Sequence, residues 1–481
     1  MKNTTFKDAA VLDIVLDRQA RLPLFEQLVQ ALREVILAGR LEPGSKLPST
    51  RKFANELSVS RVTVVTAYDQ LTAEGYIESR HGAGAFVAAG LPDEAPQVSK
   101  PFLLETKDPQ APRPLQPFQP TSPDMTLFPH KQWAKLFQRV WTNPDQNLLA
   151  NADPLGWWPL RVQIAEHLRV WRGINCQPAQ VVITSGASEA LQTIIESMLE
   201  PGQSVAIEEP GYRLFSRLLN RLHLRVEGVP VDEHGMRVDL LAALQHQPVC
   251  AVTTPSRQYP LGITMPLARR LQLLEWTTQA GRFVIEDDYD SEYRYVGQPL
   301  PALMSLAREG SVIYLGSFSK VFSKSLRLGY MVIPLARLQT VRQVMKDNGP
   351  NASGFAQPVL AQFMASGAYA SHIRSMRRIY SARQKVFVEA AQKHLQDLIE
   401  FEPAGGGMHL VGEIGKKLCG KMSDTEICQR ADEVGVILRP LSESYNGKPA
   451  RQGLIAGYAG FDENQLNWAI KRLARALTKQ T

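Results

Sequence analysis

Apolar positions in the N-terminal segment predict three helices and a hairpin. Apolar side chains between Phe25 and Ile36 recur every three or four positions, which is the spacing of an amphipathic helix. Ser49 and Ser60 precede two further helical patterns, and a serine hydroxyl there can accept a hydrogen bond from the first turn. Residues 76–87 predict two short strands around a glycine-bearing turn.

The pattern changes farther along the chain, where short β-branched runs alternate with longer helical patterns. The predicted strands are residues 180–184, 204–207, 249–253, 282–285 and 311–315. Such alternation favours a mixed or parallel sheet covered by helices, with ligands at the carboxyl ends of its strands. We therefore expect an α/β fold for this part of the chain.

A proline-rich stretch separates the two patterns. Nine prolines occur between Gly90 and Asp124, and proline at this density favours extended chain over helix. We expect a linker over residues 89–124, between an N-terminal domain over 20–88 and a larger domain over 125–475. The alternative is a long surface loop within one domain, but structureless loops of this length are uncommon in compact domains.

Composition places only broad limits on function. The chain has 481 residues, of which 44% are hydrophobic and 21% are charged, and its formal net charge is +7. A positive charge permits nucleic-acid binding without demonstrating it. Long apolar runs and a signal-peptide core are missing, and the four cysteines are scattered. We expect a cytoplasmic protein with no disulfides, no membrane association and no metal site.

The N-terminal pattern matches an arrangement in which a third helix enters the DNA major groove and a β-wing follows the backbone. Arg61 lies near the start of that helix, where side chains reach base edges, and the helix start after Ser49 suits phosphate contacts. The predicted DNA-binding residues are Ser49, Thr50, Arg51, Ser60, Arg61, Thr63, Thr66, Arg80, His81 and Gly82. A small helical domain with an incidental hairpin is the alternative.

Lys320 carries the strongest chemical signal in the second half. It follows Ser317 and Ser319 and precedes Arg327, so an amine lies beside hydroxyls and a fixed cation. A pyridoxal phosphate site needs an amine for a Schiff base and donors for a phosphate dianion. The short motif Ser185–Ser188 follows a predicted strand and can open a helix whose amides bind a phosphate, with a plain turn as the alternative.

An acidic segment, Glu286–Tyr295, follows the fourth predicted strand of the second half. A carboxylate against a pyridine nitrogen keeps that nitrogen protonated, so that the ring can accept electrons, and a nearby phenol can hydrogen-bond the ring's 3-oxygen. The alternative is an acidic loop that binds a divalent cation. Lys320, at the end of the next strand, favours the cofactor because a metal site does not need a lysine.

Several motifs in this order resemble those of known proteins. They are Leu47–Arg51, Val59–Val64, Glu209–Tyr212, Thr254–Gly262, Glu286–Glu292, Ser317–Lys320 and His372–Tyr380. Residues 23–87 resemble the GntR-type winged helix-turn-helix, and residues 118–475 resemble a fold-type I aminotransferase with a large and a small domain. From about residue 20 onward, the whole chain resembles the MocR/GabR group of GntR-family regulators.

The resemblance implies roles for single residues. Lys320 forms the Schiff base (the internal aldimine), Asp287 pairs with the pyridine nitrogen, Tyr289 hydrogen-bonds the 3-oxygen, and Tyr212 stacks on the ring. The implied cofactor-binding residues are Gly186, Ala187, Ser188, Tyr212, Asp287, Tyr289, Ser317, Ser319, Lys320 and Arg327. We interpret Lys324 as a decoy, that is, a neighbouring lysine that does not form the Schiff base, because the position of Arg327 fits the motif only with Lys320 in that role.

Two positions depart from the family pattern. Asn151 stands where many relatives have a tyrosine that reaches a phosphate across a dimer interface. Ile455 stands close to the place where aminotransferases have an arginine that binds the substrate carboxylate in a bidentate clamp. Arg451 is the nearest candidate in sequence, and a solvated surface charge is the alternative for it.

These features together predict a pyridoxal phosphate-dependent transcriptional regulator. We expect it to bind a double-stranded DNA operator as a homodimer and to sense an amine effector, or the cofactor itself, through the Lys320 aldimine. The alternative is an active aminotransferase with an accessory DNA-binding domain, and a residual half-reaction is compatible with both. The sequence does not name the effector.

Overall fold

The computed structural model describes residues 14–20, 22–80, 83–90, 115–120, 122–147, 153–279, 281–298, 300–308, 310–349 and 351–478. The chain divides into two compact units, residues 1–112 and 113–481.

The described residues of the first unit form three helices and a two-stranded antiparallel sheet. Its helices are α1 (Leu24–Leu37), α2 (Thr50–Glu56) and α3 (Arg61–Ala73), and its strands are β1 (Ile77–Arg80) and β2 (Gly84–Val87). The Ser49 hydroxyl accepts a hydrogen bond from the Lys52 amide at 3.3 Å, and the Ser60 hydroxyl accepts one from the Thr63 amide at 3.1 Å. Both predicted N-caps are therefore confirmed, because each hydroxyl satisfies an amide of its helix's first turn.

The second unit has a large sheet and a small one. Its strands are β3 (Val181–Thr184), β4 (Ser204–Glu209), β5 (Arg225–Asp232), β6 (Gly235–Met236), β7 (Cys250–Thr253), β8 (Phe283–Asp288), β9 (Val312–Ser317), β10 (Gly329–Val332), β11 (Ile399–Phe401), β12 (His409–Ile414), β13 (Arg439–Pro440) and β14 (Leu454–Gly457). Its helices are α4 (His130–Thr142), α5 (Trp158–Arg172), α6 (Ala187–Met198), α7 (Arg213–Arg221), α8 (Leu267–Trp276), α9 (Leu303–Leu306), α10 (Leu338–Asn348), α11 (Gln357–Ala365), α12 (Ala368–His394), α13 (Asp424–Glu433) and α14 (Glu463–Thr478).

The large sheet has the strand order β3-β10-β9-β8-β7-β4-β5-β6. The strands from β9 to β5 in this order are parallel, whereas β10 runs antiparallel to β3 and β9, and β6 runs antiparallel to β5. Val182 and Met331 belong to one apolar cluster, and their neighbours Ile183 and Tyr330 belong to another. Because strand side chains alternate between faces, the two clusters cover opposite faces of the sheet.

The small sheet has the antiparallel order β11-β12-β14-β13. Phe387 on α12, Ile427 on α13 and Leu473 on α14 are buried in the cluster that covers it. These two sheets and their helices confirm the α/β class. All five predicted strands are present.

Strand β8 is longer than predicted. The sequence pattern ended it at residue 285, but Glu286, Asp287 and Asp288 continue the parallel pairing with β9 and are buried. Arg172 reduces the free-energy cost of burying Asp288, because its guanidinium lies 2.8 Å from the Asp288 carboxylate. Acidic residues have a low intrinsic preference for strands. Pairing with β9, and not local propensity, therefore extends β8 through these three residues.

The described end of the predicted linker also differs from expectation. Residues 115–120 lie in the second unit, where Phe118 is fully buried and its carbonyl accepts a hydrogen bond from the Gly457 amide at 2.8 Å. A structured segment therefore begins before residue 125. Residues 91–114 and 121 lie outside the described residues.

Candidate functional site

Lys320 lies in the turn that follows β9, at the carboxyl edge of the large sheet. Its carbonyl accepts a hydrogen bond from the Tyr293 hydroxyl at 3.1 Å. The register brings the neighbouring strand ends to the same edge, because Ser317 pairs with Gly329, which in turn pairs with Thr184. Parallel sheets bind ligands at such an edge.

A cavity of about 300 Å³ opens at this edge. It is lined by Ser185, Gly186, Ala187, Ser188, Glu189, Tyr212, Leu214, Tyr259, Asp287, Tyr289, Ser317, Ser319, Lys320, Lys324 and Arg327. The structure thus brings all ten predicted cofactor residues into one cavity, although they come from distant parts of the chain. Glu189, Leu214, Tyr259 and Lys324 line it as well, and the sequence reasoning did not place them there.

One end of the cavity has donors for an anion. Gly186 precedes α6 with a φ of 140°, a backbone conformation that favours glycine, and the first helical residues Ala187 and Ser188 line the cavity. Arg327 closes the turn after Lys320 in a left-handed conformation, and its guanidinium donates to the Ser185 hydroxyl at 3.4 Å. The Ser317 hydroxyl accepts a hydrogen bond from the Ser319 amide at 3.2 Å.

Two buried polar groups suit a substituted pyridine ring. The Tyr289 hydroxyl is buried and has no hydrogen-bond partner among the described residues, so a ring oxygen could fill that role. Asp287 is also buried; burial, and secondarily the charge of Asp288, raise the pKa of its carboxyl to about 7. A protonated ring nitrogen would place a further positive charge beside this carboxylate. The residues present therefore fit pyridoxal phosphate.

The Lys320 amine has the electrostatic environment of a nucleophile. Burial lowers its pKa to about 8, and the charge of Lys324 acts in the same direction, against Asp290 and Asp287. A larger fraction of this amine is neutral near pH 7 than for an ordinary lysine, and the neutral form attacks carbonyls.

Aromatic side chains form the mouth of the cavity. Tyr212 and Tyr259 pack edge to face with ring centroids 5.4 Å apart, and Tyr259 packs in the same way on Tyr289 at 5.8 Å. Tyr212 lines the cavity and retains 36% of its accessible surface, so a ligand can reach this residue. Its predicted stacking on a cofactor ring stays a prediction.

Arg451 does not supply the anion-binding cation expected near Ile455. It forms a 2.7 Å ion pair with Glu413, and both side chains are largely exposed, so Arg451 is a surface charge. Ile455 is buried on β14, and its partner across the strand pair is Arg439 on β13. Arg451 is close to Ile455 along the sequence, whereas the adjacent strand brings Arg439 close to it in space.

Arg439 acts on the cavity electrostatically. It opposes the effect of burial on the pKa of Tyr259, through its charge and a hydrogen bond, and it contributes to the lowered pKa of Lys320. Lys324, interpreted from sequence as a decoy, lines the cavity beside Lys320. Asn151, the other departure, lies outside the described residues.

The predicted DNA-binding residues of the first unit cluster at the starts of α2 and α3. The Arg61 guanidinium donates to the Thr50 hydroxyl at 3.5 Å, and the hydroxyls of Ser60 and Thr63 are 2.8 Å apart. Arg61 and Arg51 are exposed, and Ser49 caps α2. This group presents hydroxyls, a guanidinium and the helix N-termini on adjoining turns.

The remaining predicted residues of that surface lie farther apart. Thr66 is half-buried on α3, and Arg80 on β1 lies over the Phe86 ring at 4.6 Å. His81 and Gly82 lie outside the described residues. The sequence reasoning missed Val62, which is 73% exposed beside Arg61 and offers an apolar contact on the same helix.

Comparisons with known families agree with both halves of this description. The model of "Bacterial regulatory proteins, gntR family" matches residues 24–87, and that of "Aminotransferase class I and II" matches residues 122–473. Several relatives align with the chain over nearly its whole length. The chain belongs to the MocR group of the GntR family.

Three relatives illustrate the range of this MocR-group family. The chain is 36% identical to the "Probable rhizopine catabolism regulatory protein MocR" of Rhizobium meliloti, over 96% of this chain and 95% of that one. It is 32% identical to the "HTH-type pyridoxine biosynthesis transcriptional regulator PdxR" of Corynebacterium glutamicum, over 98% and 99%. It is 31% identical to the "HTH-type transcriptional regulator TauR" of Rhodobacter capsulatus, over 94% and 96%.

Solved aminotransferase structures resemble the second unit. A kynurenine aminotransferase from Pyrococcus horikoshii superposes with a TM-score of 0.69 at 26% identity, over 76% of this chain and 91% of that one. LysN, the α-aminoadipate aminotransferase of Thermus thermophilus, gives 0.68 at 27% identity, over 76% and 92%. Within the described ranges of this MocR-group chain, none of the helices is both long and apolar enough to cross a bilayer.

Proposed function

We propose that this chain is a pyridoxal phosphate-dependent transcriptional regulator that binds operator DNA through its first unit and an amine effector at Lys320. One observation carries the proposal: all ten predicted cofactor residues line one cavity in a chain that also has a gntR-family domain. The relatives PdxR and TauR are named as transcriptional regulators, which supports a regulatory role over a purely metabolic one.

The cofactor, when bound, supplies an aldehyde that condenses with primary amines and a ring that withdraws electrons. Lys320 provides the resident amine, and Asp287 holds a proton on the ring nitrogen. Tyr289 donates its unpaired hydroxyl to the ring oxygen. Arg327 and the amides at the start of α6 hold the phosphate.

Sensing follows from competition between two amines for one aldehyde. With an effector amine in its place, the Lys320 side chain would be free, and the charges of Asp290 and Asp287 favour its protonated form. The released ammonium then lies beside Asp287 and Asp290. The charge distribution at the carboxyl edge of the sheet therefore differs between the two states, and an effector shifts their balance by its difference in affinity for them.

On the DNA side, α3 enters the major groove and the start of α2 contacts phosphates. Arg61 reaches base edges, and Ser49, Thr50 and Arg51 contact the backbone. A homodimer would present two such helices to repeated half-sites of an operator. We place this protein in the cytoplasm with its DNA.

Arg439 supports a residual enzymatic reaction as the second candidate function. Ile455 disfavoured catalysis because it left the substrate carboxylate without an anchor, and Arg439 provides a cation opposite Ile455. Slow conversion of a bound amino acid in one half-reaction is therefore compatible with the cavity. Rapid turnover between an amino acid and a keto acid would make the enzyme the primary function.

Two measurements test the regulator. Borohydride reduction of the pyridoxal phosphate-loaded protein, followed by peptide mapping, should place the adduct on Lys320 and not on Lys324. Amines should then be screened for a change in affinity for DNA upstream of the chain's own gene and its neighbours. That response should be lost in Lys320→Ala and kept in Lys346→Ala, a control lysine exposed on α10. An adduct on another lysine, or an unchanged response in Lys320→Ala, contradicts the proposal.

A further inference from the structure

Two cations near the Lys320 cavity have no ion-pair partner among the residues that the structure describes. Lys324 lines the cavity and Arg439 lies on the strand facing Ile455. Neither forms an ion pair with a carboxylate of the described residues. Both residues are exposed, so a ligand entering the cavity can reach them.

The cations lie near each other and near Lys320. The charge of Lys324 is the largest ionic influence on the lowered pKa of Lys320, and Arg439 adds to the effect of partial burial in lowering the pKa of Lys324. Each positive charge thus disfavours the protonated form of the neighbouring lysines. An anion bound between the cations would reduce this electrostatic repulsion.

The charges of the cofactor and of the side chains around it indicate how many negative charges the effector carries. The cofactor's phosphate has Arg327 and the start of α6, and its ring nitrogen has Asp287. Lys320, which an effector amine would displace from the aldehyde, has the carboxylate of Asp290 to offset its charge. Glu189, the other carboxylate that lines the cavity, accepts hydrogen bonds from the amides of Ser185 and Asn351. Lys324 and Arg439 therefore remain as two positive charges without an ion pair among the described residues.

We propose that Lys324 and Arg439 together select an effector that carries two negative charges besides its amine, with Lys324 recognising the second charge. The chemical class is an amino dicarboxylate or an amine bearing a phosphate. A diamine is disfavoured, because its second ammonium would face two cations. This inference rests on the proposed function, since it concerns the effector of the same cavity.

The test compares pairs of ligands in which one member carries an additional anionic group and the other carries a neutral group in its place. Aspartate with asparagine, glutamate with glutamine, and O-phosphoserine with serine would each be titrated into the cofactor-loaded full-length protein. The readout is the change in the cofactor's visible absorbance, which gives a dissociation constant without requiring turnover. In the wild-type protein, the charged member of at least one pair should bind about tenfold more tightly, as expected for one added charge-assisted hydrogen bond.

Variants assign the preference to Lys324. Lys324→Gln should reduce the ratio of dissociation constants to within about threefold, while Lys324→Arg should retain most of it. Lys346→Gln, which removes an equal charge outside the cavity, should leave the ratio unchanged. The wild-type ratio should also shrink with added salt, because the second charge is recognised at an exposed rim.

The failures are distinguishable. If amines change the absorbance but the charged and uncharged members of each pair bind equally, the proposed selection by charge is wrong. The proposed sensing of amines is still supported in that case. The selection by Lys324 is equally wrong if Lys324→Gln keeps the wild-type ratio. If no primary amine changes the absorbance of the loaded wild-type protein, the proposed function itself is wrong.

Discussion

At the scale of single residues, Lys320 determines how the cofactor is captured. Its pKa is lowered to about 8 by burial and by Lys324, so the reactive neutral amine increases as pH rises through that value. The rate at which the cofactor-free protein captures pyridoxal phosphate should therefore rise with pH and level off above about 8. An ordinary lysine would keep gaining reactivity up to about 10.4. Stopped-flow absorbance over a pH series measures the midpoint.

A change at Lys324 checks the cause of that midpoint. Lys324→Gln removes a positive charge that disfavours protonation of Lys320, so the midpoint should move to higher pH. Lys346→Gln should leave it unchanged. A midpoint that stays in place in Lys324→Gln would show that burial alone sets the reactivity of Lys320.

Asp287 should have opposite effects on stability and on cofactor binding. Its pKa is raised from 3.8 to about 7 in the fold, so the folded state binds the proton more tightly than the unfolded state. That contribution to stability is present at low pH and is lost as pH rises through about 7. Asp287→Asn avoids the loss but removes the partner of the ring nitrogen.

We therefore expect cofactor-free Asp287→Asn to gain thermal stability relative to wild type, more at about pH 7.5 than at about pH 5. The same variant should release pyridoxal phosphate faster. Differential scanning calorimetry and dialysis against cofactor-free buffer measure the two effects. An equal difference in melting temperature at both pH values would contradict a titrating Asp287.

At the scale of elements, the start of α3 is the most testable part of the DNA surface. Arg61→Ala should weaken operator binding and reduce the salt slope of log affinity by about 1 if the side chain contacts a phosphate, or relax specificity at one base pair if it contacts a base. Arg40→Ala is a matched control, because Arg40 is exposed in the same unit but outside α2, α3 and the hairpin. Fluorescence anisotropy over a salt series separates these outcomes, and unchanged affinity in Arg61→Ala would exclude α3 as the reading helix.

The elements also show what a sequence can and cannot predict. Local signals predicted Ser49 and Ser60 as N-caps, since a cap depends on residues three positions away. The predicted strand β8 was too short because the burial of Asp288 depends on Arg172, more than a hundred residues earlier. Arg439 was missed for the same reason: its proximity to Ile455 arises from strand pairing, and periodicity within one segment contains no information about it.

At the scale of the whole molecule, any coupling between effector binding and operator binding must act in both directions. If an effector changes the affinity of the protein for operator DNA by some factor, operator DNA must change the affinity for that effector by the same factor. Coupling energies between sites are typically about 1–3 kcal/mol, so factors of roughly 5–150 are expected. This equality does not depend on how the signal passes along the chain.

The reciprocal measurement therefore tests whether the cavity and the helix-turn-helix form one switch. Effector would be titrated against the cofactor's absorbance with and without saturating operator, and operator affinity would be measured with and without effector. Arg61→Ala should bind effector as the free wild-type protein does, and operator at the wild-type saturating concentration should no longer alter that affinity. If the wild-type factors agree, the cavity regulates DNA binding through equilibrium coupling. If operator leaves effector affinity unchanged in the wild-type protein, the two units act independently, and the aminotransferase-like unit needs a separate role.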